Sequence, residues 1–144
     1  MSTIFSTNDF RGRADESLDA ETAWNIGKAF AEWLPDDGSV VIVEAAGAHQ
    51  PTAHAVTEGV LLQGRNVVVA AGDQATIINA IADNKAIGGV LVSHDQLQGI
   101  EMIALYDTRG VALTSERGLD EVSAMVEAGN FVPMSEKGTV TPLA

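Results

Sequence analysis

At 144 residues the chain is long enough for one domain with a proper core, and 46% hydrophobic against 19% charged residues excludes a disordered chain. Eight Lys and Arg face 20 Asp and Glu, a formal net charge of -12 that repels nucleic acid and anionic membrane, so neither is expected as a partner. Without cysteine there is no disulfide framework and no thiolate chemistry, and no apolar run is long enough to span a membrane.

The elements alternate along the chain. Asp19 is a good N-cap, and Ala23, Ile26, Gly27, Phe30, Trp33 and Leu34 follow at helical spacing until Pro35, Asp36, Asp37 and Gly38 end the helix. Residues 40–43 are a β-branched run and predict a strand. Residues 52–63 predict a helix with Ala53, Val56 and Val60 inward and Gly64 as its stop. A second buried strand is expected at 67–71, a short helix at 73–83 with the stripe Ile77, Ile78 and Ile81, and a third strand at 87–92.

Three continuous apolar strands separated by helices imply crossovers and a parallel core. After Gly99 the pattern changes. Residues 100–105 and 111–113, joined by Asp107, Thr108, Arg109 and Gly110, look like a hairpin, and a last helix is expected over 119–128. The fold class is α/β, a three-layer α/β/α sandwich around a mixed, mainly parallel sheet, with 100–105 at an antiparallel edge. Residues 1–133 form the domain and 134–144, without periodicity, an irregular tail. The amino terminus has no basic region followed by an apolar run, so the expectation is a soluble, cytoplasmic protein.

The most informative stretch is Gly88-Gly89-Val90-Leu91-Val92-Ser93-His94-Asp95. Ser93 is expected just past the carboxyl end of its strand, where open α/β sheets place their ligands. On residue types alone, Ser93, His94 and Asp95 read as a strand-end turn capped by local hydrogen bonds. A Ser-His hydrolase pair is a poorer reading, because neighbours at a strand end point in opposite directions. His49 and His54 flank a loop-to-helix boundary with no third ligand at a metal spacing, and read as two surface histidines. Glu44, Asp73 and Asp95 gather at the carboxyl-end loops and read as a solvated acidic rim, with a hard-cation site as the alternative.

The stretch around Ser93 resembles the catalytic-serine loop Thr-(Ala/Gly)-Ser-His-Asn-Pro of the α-D-phosphohexomutases, the phosphoglucomutase and phosphomannomutase family. Ile4-Phe5-Ser6-Thr7-Asn8-Asp9-Phe10-Arg11-Gly12-Arg13 is similar to that family's amino-terminal Tyr-Asp-Ile-Arg-Gly segment. The resemblance covers roughly residues 4–133 and implies a stand-alone, degenerate copy of the first of four domains. It implies that Ser93 aligns with the serine that carries a phosphoryl group, and His94 with the histidine after it. Arg11 with Gly12 then supports the serine loop, while Arg13 reads as a solvated turn.

Departures from the pattern set the functional expectation. Asp95 and Gln96 replace Asn-Pro, and Glu101 stands where the family has a lysine. The run Glu44-Ala45-Ala46-Gly47-Ala48-His49 has no arginine where the family has Gly-Arg-Asp-x-Arg. The metal loop Asp-x-Asp-x-Asp belongs to another domain, and no such run exists here, so no metal is expected on this chain alone and Mg2+ only with a partner that brings that loop. Phosphoryl transfer depends on positioning and on charge neutralisation. The expectation is therefore a binding or assembly module without mutase activity alone; the alternative is the phosphoserine-carrying part of a split mutase acting on a phosphosugar. A homodimer, or docking to the remaining mutase domains, is the expected association, with Trp24, Trp33, Phe131 and Met134 offering an apolar contact surface.

Overall fold

The computed structural model describes residues 9–35, 37–129, 131 and 136–142. The expectations that rest on residues 4–8, on Asp36 and on Met134 lie outside them. The strands are β1 (Phe10–Gly12), β2 (Val40–Glu44), β3 (Val67–Ala71), β4 (Gly88–Asp95), β5 (Ile100–Tyr106) and β6 (Val140–Pro142). The helices are α1 (Ala20–Trp33), α2 (Gln50–Leu62), α3 (Gln74–Asn84) and α4 (Asp120–Ala128).

Local chemistry explains the helix ends. The Asp19 carboxylate accepts from the Thr22 backbone N–H at 2.9 Å and starts α1. Asp73 and Thr76 close a reciprocal capping box on α3. Gly64, just past α2, takes φ +82°, a conformation that a side chain would strain.

The six strands form one sheet in the order β1-β5-β4-β2-β3-β6. Strands β4, β2, β3 and β6 run parallel, while β5 pairs antiparallel with both β4 and β1. The connection β2-α2-β3 passes over one face and β3-α3-β4 over the other. Val40, Ile42, Val90, Val92, Ile103 and Leu105 pack under α1, α2 and α4 on the first face. Val41, Val43 and Tyr106 pack under α3 on the second. The result is the expected three-layer sandwich around a mixed sheet, with unequal outer layers. Gly88 and Gly89 serve those two layers in turn. A Cβ on Gly88 would lie 2.9 Å from the Phe30 ring, and one on Gly89 2.8 Å from the end of Ile77.

Four expectations are corrected. Residues 100–105 are not an edge, because β1 adds one strand beyond them; its three residues are too short for a period-2 signal. The hairpin is β4–β5, and 111–113 contribute only a bridge between Tyr106 and Ala112. Within 67–71 only Val67 is buried: Val68 and Ala70 meet the single helix of the second face, and Val69 is half-buried on the first. The stretch 134–144 is not wholly irregular: Val140–Pro142 extend the sheet beside β3, pinned by Thr139, whose N–H and Oγ1 reach Asn66 Oδ1 at 3.0 and 3.2 Å. The expected aromatic contact surface is also engaged internally. Lys28 Nζ lies 3.5 Å from the Trp24 ring centroid and 5.0 Å from that of Phe131. Trp33 stacks on Phe30 and donates Nε1–H to Glu121 at 3.0 Å.

Candidate functional site

Strand β4 does not end at Val92. Its parallel partner β2 stops at Glu44, opposite Val92, but its antiparallel partner β5 continues, pairing Ser93 with Met102, His94 with Glu101 and Asp95 with Ile100. Ser93 therefore lies beyond the parallel ladder and inside the antiparallel one, which corrects its expected place in a loop. The turn is short: the Asp95 carbonyl accepts from the Gly99 N–H at 2.8 Å, and its carboxylate accepts from the Leu97 and Gln98 N–H groups at 2.9 and 3.3 Å.

Alternation along the hairpin sends its side chains to two different places. Ser93 and Asp95 share the α3 face with Leu91 and Met102. Arg11 is in register with Met102 and so stands in the same row as Ser93, two strands away. At the usual strand spacing their backbones are about 10 Å apart. The Arg11 guanidinium is clamped by Asp9, with Nε 2.9 Å and Nη2 3.0 Å from its two carboxylate oxygens. The hydrogen bond and charge of Asp9 raise the Arg11 pKa, and the charge of Asp95 adds to that push. Arg11 is half exposed, so solvent screens this cluster. Gly12 is in register with Glu101. Arg13 faces Asp15 and Glu16 at 3.5 and 3.4 Å on the surface.

His94 and Glu101 occupy the other face, the one covered by α1 and α2. His94 Nδ1 is 2.5 Å from Glu101 Oε2, and Glu101 Oε1 accepts from the His49 backbone N–H at 3.3 Å. The Glu101 side chain is only 3% exposed. A carboxylate is tolerated there because an imidazole pairs one oxygen and the amino-terminal end of α2 receives the other. Glu101, which stands where the family has a lysine, therefore does not lie beside Ser93: the two side chains leave opposite faces of the hairpin. Sequence reasoning missed this partnership although a signal was present. Glu101, Ile103 and Leu105 alternate onto one face, and an acid in an inward-facing series calls for a buried partner.

Glu44 and Asp73 line a shallow groove with Ala45, Ala46, Gln50, Ala71 and Gly72, between the carboxyl ends of β2 and β3. The Glu44 carboxylate accepts from Gln50 Nε2 at 2.7 Å. Asp95 is not in that groove, so the three acids do not converge. Among the described residues no three His, Asp or Glu side chains are grouped to hold a metal ion. His49 occupies the N-cap position of α2 without a side-chain cap bond to the backbone, its Nδ1 2.9 Å from Thr52 Oγ1, and His54 lies further along the same helix. Among the described residues, no helix is long and apolar enough to cross a membrane.

Residues 2–132 match the family model of the phosphoglucomutase/phosphomannomutase α/β/α domain I. The chain is 27% identical to a phosphomannomutase of Salmonella typhimurium over 139 residues, covering 93% of this chain and 30% of the relative. It is 26% identical to a phosphomannomutase of Escherichia coli over 141 residues, covering 94% and 30%. Among solved structures it is similar to a phosphoglucomutase/phosphomannomutase family protein of Burkholderia thailandensis, with a TM-score of 0.80, 20% identity, and coverage of 96% of this chain and 32% of that one. A phosphomannomutase structure described as putative, from Thermus thermophilus, superposes with a TM-score of 0.74 at the same identity and coverage. The chain thus spans about a third of the length of the relatives it matches. With nearly every element of the sheet inside the matched stretch, the chain belongs to the phosphoglucomutase/phosphomannomutase family as its α/β/α domain I.

Proposed function

We propose that this domain by itself does not interconvert hexose phosphates and acts as a binding or assembly module, through self-association or docking to the remaining domains of a mutase. The observation that carries the reading is the setting of Ser93. It sits in a paired ladder, its own face adds the Asp95 carboxylate, and the basic side chain in its row is engaged by Asp9. A transferring phosphoryl group needs several positive partners, each contributing a few kcal/mol. The loop after β2 supplies no arginine, and Glu101 is committed to His94.

The test is direct. Purified protein given glucose 1-phosphate, a catalytic amount of the hexose bisphosphate and Mg2+ is expected to form no glucose 6-phosphate. Intact-mass and phosphopeptide analysis is expected to find Ser93 unmodified. Stoichiometric phosphoserine, or conversion that disappears in Ser93→Ala, overturns the reading.

A second reading is favoured by one specific observation: Ser93 is partly exposed and stands in the same row as Arg11. On that reading the domain carries the phosphoryl group within a split phosphohexomutase, and a partner brings the phosphosugar grip and the Mg2+ loop. Activity that appears only on mixing with the remaining mutase domains selects it. Light scattering separates self-association from docking, and fractionation of the source cells tests the cytoplasmic location included in both readings.

A further inference from the structure

The buried Glu101 carboxylate enters the proposed function only as a group committed to His94, and its contacts define a second chemical feature of the same hairpin. We propose that Glu101 is a positioning residue that holds the His94 imidazole with its proton on Nδ1 and leaves Nε2 as the proton-accepting atom of this site. The inference rests on the binding-module reading only for the use of that atom; the tautomer itself stands on geometry.

An ionised carboxylate accepts hydrogen bonds and cannot donate one. With Oε2 2.5 Å from Nδ1, the proton of a neutral His94 belongs on Nδ1. Glu101 cannot turn away to accept another tautomer. It is buried in the β4–β5 ladder, and its other oxygen is occupied by the His49 N–H at the start of α2. The same loop closes against the hairpin tip, where a Cβ on Gly47 would lie 3.3 Å from Gln96 Nε2.

Among the described residues, Nε2 of His94 makes no hydrogen bond, and the side chain is 24% exposed. With the proton on Nδ1, Nε2 is the ring atom left to accept from an incoming ligand. Its chemical partner is a donor, such as a sugar hydroxyl, since a ring-nitrogen lone pair repels phosphate oxygens. It cannot serve Ser93, whose side chain leaves the opposite face of the strand. Carboxylate-oriented imidazoles of this kind are how proteins select one ring nitrogen for proton transfer or ligation.

The test reads the tautomer. Long-range 15N–1H correlation spectra of the folded protein, recorded where the imidazoles are neutral, are expected to show His94 with a protonated Nδ1 and an unprotonated Nε2. His49 and His54 serve as internal references. Glu101→Gln offers both an acceptor and a donor to Nδ1, so the His94 signals are expected to move toward a tautomer mixture while the other two histidines keep theirs. Acylation of His94 by diethylpyrocarbonate, which attacks a free ring nitrogen, is expected to slow in that variant in proportion to the population whose Nε2 carries the proton, since its free Nδ1 then faces the buried side chain at position 101. Should Glu101→Gln fail to fold, the spectrum of the parent protein alone decides. A His94 with its proton on Nε2, or one whose tautomer and reactivity are unchanged in a folded Glu101→Gln variant, overturns the proposal. Neither result bears on mutase activity, so failure here and failure of the binding-module reading are distinguishable.

Discussion

The two faces of the sheet are built from alternate residues of the same strands, yet they handle charge in opposite ways. Under α1, α2 and α4 the face is closed, and the acid it contains, Glu101, is buried and matched by His94 and the start of α2. Under α3 the face is only partly covered; there the half-exposed Arg11 is clamped by the buried Asp9, and Asp95 adds its charge from the same face. A charge in the closed layer must be paired where it stands or the fold suffers. A charge at the open edge is screened and free to vary.

The contrast predicts a graded response to substitution. Glu101→Lys, which restores the family's residue type into a site built for a carboxylate, removes both hydrogen bonds and buries an unpaired ammonium. It is expected to cost about 3–5 kcal/mol in urea unfolding. A loss under about 1 kcal/mol would erase the distinction between the faces. Ile77→Ala tests whether the thinner α3 layer is still a true core. Ile77 is fully buried against Gly89, so the expected cost is about 2–4 kcal/mol.

Asp19→Ala sharpens the comparison through pH. The Thr22 N–H, which the carboxylate caps at the start of α1, lowers the Asp19 pKa below the ordinary 3.8. A depressed carboxyl stabilises the folded state above its unfolded pKa, and that contribution is lost as pH falls through the folded value. The variant is expected to lose about 1 kcal/mol near neutral pH. The gap from the parent is expected to close well below pH 3.8. A gap that persists in strong acid would mean that the cap is not electrostatic. At the open edge, Arg11→Ala is expected to cost less than about 1 kcal/mol, with the difference shrinking further in high salt. Ser93→Ala, on the same face and part-exposed, is expected to stay within about 0.5 kcal/mol of the parent in the same unfolding assay.

Much of the fold was legible from periodicity and punctuation. The run 40–43, the capped helix from Asp19 and the stripe Ala53, Val56 and Val60 each carry their own period and their own stop. Local chemistry therefore placed them within a few residues. Strand β1 and strand β6 were not legible, because three residues have no period and pair only where a neighbouring strand offers an edge.

The site divides along the same line. Sequence by itself determined that Ser93, His94 and Arg11 are the residues to watch, that the loop after β2 lacks an arginine, and that an acid stands at position 101. Only the tertiary structure decided which of them meet. The parallel ladder ends at Val92 while the antiparallel one continues to Asp95, and that continuation sends Ser93 and His94 to opposite faces of the sheet. Pairing register is a property of two strands at once, so no pattern within 88–95 contains it. The same register brings Glu101 from the facing strand onto His94 and, across the layer, onto the start of α2. A residue that reads as a misplaced charge in the linear chain becomes, once two strands and a helix converge, a buried carboxylate paired with a part-exposed imidazole.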